Sequence, residues 1–139
     1  MERGEIMRIQ KESEKFFDQD VKYVIDYLKS RKLNNRELNR IIKDYPFGLL
    51  VGTAFISENE EYEISHFLTK SEITGYDIKK VNNLLKTEKS SLIVFAVVLG
   101  DDVLCYDVDD KKVYLWFVQT GDGKKIMVSN SLTKFLKAL

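Results

Sequence analysis

Residues 92–128 read LIVFAVVLGDDVLCYDVDDKKVYLWFVQTGDGKKIMV, and this stretch decides the fold. Its apolar, β-branched and aromatic runs, 92–99, 103–107, 113–119 and 125–128, are each too short for a helix of ordinary length and are rich in residues that suit a pleated surface. Between them stand Gly100-Asp101-Asp102, Asp109-Asp110-Lys111 and Gly121-Asp122-Gly123. These residues favour tight turns, so the four runs predict an antiparallel meander.

Working outward, the pattern on either side is helical. Asp20 is placed to cap a helix in which Val21, Val24, Ile25 and Leu28 share one face, with Arg31 and Lys32 at its C-terminal end. Asn34 with Glu37 three residues later resembles a capping box, and Leu33 with Leu38 a hydrophobic staple, for a second helix burying Leu38, Ile41 and Ile42. That helix should stop before Pro46, the only proline. Gly48 and Gly52 bracket Leu49 to Val51, and with Thr53 to Ile56 they predict a strand broken by a bulge or turn. Residues 57–61 read as a polar loop and 76–86 as a third helix with Ile78, Val81, Leu84 and Leu85 on its apolar side. Ser129, Asn130 and Ser131 are N-cap candidates for a last helix carrying Leu132, Phe135, Leu136 and Leu139. Helices, then a sheet, then a helix make α+β: an antiparallel-rich sheet meander flanked by helices, read as a single domain over 1–139 with 1–20 a candidate peripheral helix.

With 44% hydrophobic and 12% aromatic residues, a chain of 139 residues has the material for a packed core without staples. The 22 basic and 22 acidic residues cancel, so no overall field draws it to nucleic acid or anionic lipid. The charge is unevenly placed. Residues 57–77 hold Glu58, Glu60, Glu61, Glu63, Glu72 and Asp77 against Lys70 alone, and 101–110 hold five Asp and no base. A single cysteine, no signal-peptide pattern at the start and a longest apolar run of eight residues predict a soluble cytoplasmic protein with no membrane span.

Few residues point to chemistry. His66, the only histidine, and Cys105 would make a nucleophile and base pair, but Cys105 stands between Leu104 and Tyr106 inside a strand, where a free cysteine packs as a small apolar residue. Asp101, Asp102, Asp109 and Asp110 lack the alternate ligand spacing, central glycine and closing glutamate of a calcium loop and read as turn residues. No phosphate-cradling loop, paired-cysteine zinc pattern or GxSxG motif occurs. No cofactor or metal is expected. In the run 113–118, Val113, Leu115 and Phe117 form one side and Tyr114, Trp116 and Val118 the other; both sides are core if helices cover both faces of the sheet, whereas Tyr114 and Trp116 form an aromatic platform if only one is covered.

Five segments together carry a resemblance. They are His66 to Glu72, Leu92 to Ala96, Gly100 to Asp107, Val113 to Trp116 and Ser131 to Leu136. In this order they resemble the SUKH superfamily, which includes Smi/Knr-type fungal cell-wall regulators and many bacterial immunity proteins. The resemblance spans about residues 33–139 and is strongest from 92 onward. The chain departs from the family pattern at Val94, where proline commonly precedes the Phe-Ala step, and at Phe117-Val118-Gln119, where an acidic, histidine-containing tail commonly follows the Trp; Phe47-Gly48 stands only loosely for the glycine-rich segment. The resemblance implies a non-catalytic bacterial binding protein that neutralises a cognate toxin, often a nuclease, with a regulatory or scaffold protein of the Smi/Knr type as the alternative. The expected partner is thus a basic protein, with no direct nucleic-acid contact. The residues singled out for it are Glu58, Glu60, Glu61, Asp101, Asp102, Asp109 and Asp110, joined by Tyr114 and Trp116.

Overall fold

A computed structural model describes residues 20–44 and 53–139. Helical backbone over 20–30 (α1) already includes Asp20, so Asp20 lies within the helix and does not cap it. The apolar face is as the spacing predicts, with Val21, Val24, Ile25 and Leu28 buried. Helix α2 spans Arg36–Asp44. Its cap is Asn35, one residue later than the capping-box reading, because the Asn35 side-chain oxygen accepts from the N–H groups of Glu37 and Leu38 at 2.9 and 3.1 Å. The Leu49 to Val51 part of the strand expected there, like the Phe47-Gly48 segment, lies outside the described residues, while its Thr53 to Ile56 part falls on the strand Ala54–Ser57.

Six strands form one antiparallel sheet whose spatial order follows the chain: β1 Ala54–Ser57, β2 Glu60–Phe67, β3 Leu92–Val98, β4 Val103–Asp107, β5 Lys112–Trp116 and β6 Lys125–Ser129. The meander predicted for 92–128 is therefore present and extends two strands further toward the N-terminus. Residues 57–61 are not a loop. Glu58 and Asn59, with φ of 50° and 65°, form the two-residue turn of a tight hairpin. Positive φ at both positions matches the right-handed twist of the flanking strands. The run at 113 also ends early: β5 stops at Trp116 and Val118–Thr120 is a short 3-10 turn, so Val118 does not continue the Tyr114 side.

Helix α3 is shorter than expected, Ile78–Leu84, and Leu84 is 68% exposed, while Asn82 in the same helix is completely buried. Helix α4, Leu132–Lys137, is capped by Ser131, one of the three candidates, and buries Leu132, Phe135 and Leu136, while Leu139 lies past its end. Phe135 meets Phe95 of β3 edge-on at 6.3 Å and Phe55 of β1 at 5.4 Å, which ties α4 to two strands through ring contacts.

Strand β2 pairs with β3 only as far as Ala96, and β3 bulges between Val94 and Ala96. The backbone of Val94 would be left without a strand partner on that side. Asn82 supplies one, accepting from Val94 N–H and donating to Val94 C=O, both at 2.8 Å. Its amide also donates to Ile78 C=O at 2.8 Å and accepts from the Thr87 hydroxyl at 2.6 Å, so all four of its hydrogen-bonding positions are filled. One step along, Arg31 donates to Leu92 C=O at 2.7 Å and Thr87 C=O at 2.9 Å. Two side chains thus complete an edge that lacks a strand.

Candidate functional site

Directly paired residues share a face of an antiparallel sheet. On one face Leu115 lies with Leu104 and Ala96, and Val113 with Tyr106 and Ile93, all buried. On the other, Trp116 lies in a row with Val103, Val97 and Lys125, and Tyr114 with Cys105, Val94 and Met127. Burial on this second face declines across the strands. Val94, Val97, Val103 and Cys105 are buried, Tyr114 and Trp116 are half-buried, and Met127 is 51% exposed. The two aromatic rings are therefore neither wholly core nor a free platform; they stand where a covered face opens toward β6.

The candidate acids separate into two groups. In a meander, alternate turns lie at the same end, which brings the Glu58-Asn59 turn and the 99–102 turn together; Leu99 N–H donates to Glu63 C=O at 2.8 Å. Tyr62, stacked on Phe55 at 5.5 Å, reports the convergence. Its phenol is pushed above the ordinary tyrosine range first by burial, then by its hydrogen bond to Glu60 and by the charges of Glu60, Glu58 and Asp102. Glu61 is exposed on β2 opposite Ile56. Asp102 also holds a loop in place, accepting from Gln119 N–H at 3.0 Å while the Gln119 amide donates to Asp101 C=O at 3.2 Å.

Asp109 and Asp110 lie at the opposite end of the sheet, in the β4–β5 turn. They act in the turn itself: Asp107 accepts from Asp109 N–H, Asp110 accepts from Lys112 N–H, both at 2.9 Å, and the Tyr114 hydroxyl donates to Asp110. That bond, more than burial, pushes the Tyr114 phenol up to about 12. Two exposed apolar side chains at the acidic end, Ile56 at 76% and Leu99 at 70%, are additions that sequence reasoning missed. Leu99 read as the end of a strand, and nothing in its neighbours marks it as outward-facing.

Cys105 and His66 do not form the pair weighed from sequence. Cys105 is fully buried, and burial pushes its thiol up to about 12, away from the thiolate a nucleophile needs. His66 lies on β2, a strand and not a helix or turn, with Nδ1 2.9 Å from the Ser65 hydroxyl and Nε2 2.9 Å from Gly75 C=O, under the Tyr76 ring.

A family model described as SMI1-KNR4 cell-wall, one of the SUKH group, matches residues 35–136, from the cap of α2 through all six strands and into α4. The chain belongs to the SUKH superfamily. No curated protein and no solved structure matches it. In this SUKH protein the segments that carry the resemblance are structural units: Leu92 to Ala96 lies in β3, Gly100 to Asp107 is a turn and β4, Val113 to Trp116 lies in β5, and Ser131 to Leu136 is the cap and body of α4. The substituted Val94 is the residue held by Asn82, and a proline there would lack the N–H that Asn82 accepts. Helix α1 precedes the match. Among the described residues, no helix is long and apolar enough to cross a membrane.

Proposed function

We propose that this SUKH protein is a non-catalytic cytoplasmic binding protein of the immunity type, which neutralises a cognate basic toxin by direct contact. The observation that carries the reading is the convergence of two sequence-distant acidic stretches, Glu58 and Glu60 with Asp102, on one end of the sheet beside the exposed Ile56 and Leu99. An apolar centre with an acidic rim suits a basic partner: the charges speed encounter and the desolvated side chains slow release. Tyr114 and Trp116 extend the candidate surface only on the open side of the second face.

Co-expression with the product of an adjacent toxin gene should restore growth, and the purified pair should elute as one complex. Reversal of Glu58 and Glu60, or of Asp101 and Asp102, should slow association and flatten its salt dependence, whereas Leu99→Ala or Trp116→Ala should mainly speed dissociation. Association rates unchanged in both reversals, measured by surface plasmon resonance at two salt concentrations, would remove these acids from recognition. The SMI1-KNR4 cell-wall description of the matched model favours a second reading, a regulatory scaffold. Stable capture of cell-wall regulatory proteins, with no protection against any adjacent gene product, would select it.

A further inference from the structure

A cleft of about 490 Å³ lies between α1 and the segment that leads into α3, lined among others by Asp20, Tyr23, Lys70, Glu72, Asp77 and Lys80. Two of its carboxylates are nearly as buried as core residues, Asp77 at 2% exposure and Asp20 at 6%. Their surroundings differ. Asp77 caps α3, accepting from Lys80 N–H at 2.9 Å, from Ser71 N–H at 3.1 Å and from the Tyr23 hydroxyl at 3.0 Å. Asp20 accepts no hydrogen bond and forms no ion pair among the described residues. Burial raises its carboxyl above the ordinary range, and Lys70 only partly draws it back.

A carboxylate removed from water is costly unless a partner meets it. The cleft supplies the rest of a cation's surroundings. The Tyr23 ring already attracts ammonium groups, with Lys79 at 4.7 Å and Lys70 at 5.9 Å from its centre. Lys80 is engaged elsewhere, donating to the carbonyls of Ser71 at 3.3 Å and Glu72 at 3.1 Å, so it does not neutralise Asp20. The three acids Asp20, Glu72 and Asp77 face three bases, Lys70, Lys79 and Lys80, but Asp77 and Lys80 are committed to hydrogen bonds and Lys70 and Lys79 to the ring, so Asp20 is the group left to receive a charge. A planar cation that displaces an ammonium from the Tyr23 ring would pair with it.

We propose that this cleft binds an organic cation, a guanidinium group, with Asp20 as its counter-ion and the Tyr23 ring as its platform. The site stands apart from the acidic end of the sheet, and Asp20 and Tyr23 precede the family match, so it does not rest on the immunity reading. The cation reaches the cleft either as a free small molecule or as an arginine side chain of a protein.

Amide NMR on the full chain tests this with three probes: butylguanidinium for the free source, N-acetyl-arginine methylamide for the side-chain source, and N-acetyl-citrulline methylamide as the neutral isostere. Saturable shifts at Asp20, Tyr23 and Lys80 with at least one cation and none with citrulline are expected, and the tighter of the two cations names the source. Asp20→Asn should weaken binding by about tenfold or more. That variant loses a buried charge that Lys70 offsets only in part, so it should fold at least as well as the parent. Lys70→Gln, which removes the competing ammonium, should tighten binding by about threefold. No saturable shift with either cation, equal response to citrulline, unchanged affinity in Asp20→Asn or no tightening in Lys70→Gln would overturn the assignment.

Discussion

Asn82 and Asp20 are polar side chains taken almost entirely out of water, 0% and 6% exposed, yet their hydrogen bonding is opposite. Asn82 fills every donor and acceptor position and stands in for a missing strand beside Val94. Asp20 faces a cleft with none filled among the described residues. Desolvation alone therefore does not distinguish a structural polar residue from a receptive one. The state of its partners does: a satisfied group holds the fold together, and an unsatisfied one leaves binding energy uncommitted.

The largest effect that bears on this contrast is expected at Asn82. Asn82→Ala orphans the N–H and C=O of Val94 and leaves the Thr87 hydroxyl only its longer bond to the Asn82 C=O at 3.3 Å, and should cost about 3–5 kcal/mol in urea unfolding. A loss under about 1 kcal/mol would mean that water takes over the role of the amide and that the edge does not depend on this side chain. Thr87→Val removes the hydroxyl's bond to the same amide and its longer one to the Asn82 C=O, and its expected cost is about 1–2 kcal/mol. Equal losses in the two variants would show that the network acts as one unit and not as separate bonds.

Asp20→Asn is expected to move stability the other way. Since the folded carboxyl titrates above its unfolded value, folding favours its protonated form. The penalty from Asp20 is therefore absent below the ordinary carboxyl value of 3.8, grows as pH rises through the raised folded value, and persists above it. The variant's amide never ionises. Its stability relative to the parent should match at low pH and gain as pH rises through that window, as read by urea midpoints. A flat difference would show that Asp20 is compensated after all. The smallest effect belongs to Tyr114→Phe: the bond to Asp110 is exposed, so the urea midpoint should stay at the parent's value. In the parent, ultraviolet titration should find the Tyr114 phenol near 12.

Legibility in the sequence followed periodicity. The four runs after residue 91, the capped helix at Ser131 and the apolar face of α1 repeat apolar residues at the spacing of their element, and each is found where expected, save that the run at 113 stops as a strand at Trp116. Strand β2 was missed because Glu60, Glu61 and Glu63 carry charge where a strand signal is sought, while the bulge between Ile64 and His66 breaks the alternation. Leu84 was misassigned because α3 ends there, leaving its side chain beyond the packed face. The acidic candidates were legible as residues. Their grouping was not, since Glu60 and Asp102 meet only through the meander while Asp110, eight positions from Asp102, is carried to the other end.

By itself, then, the sequence determined the α+β class, the order of the strands from residue 92 and the family, since all three depend on local pattern and on the succession of short segments. Only the tertiary structure decided that Asn82 completes a strand edge, that Tyr114 and Trp116 stand at the boundary of a covered face, and that Asp20 is buried with no hydrogen bond to its carboxylate among the described residues. The physical reason is common to all three. Burial and hydrogen-bond satisfaction depend on what lies across space, and the groups that matter here, Val94 bonded to Asn82, Cys105 paired with Tyr114 and Lys70 acting on Asp20 through charge alone, are nine to fifty residues away along the chain.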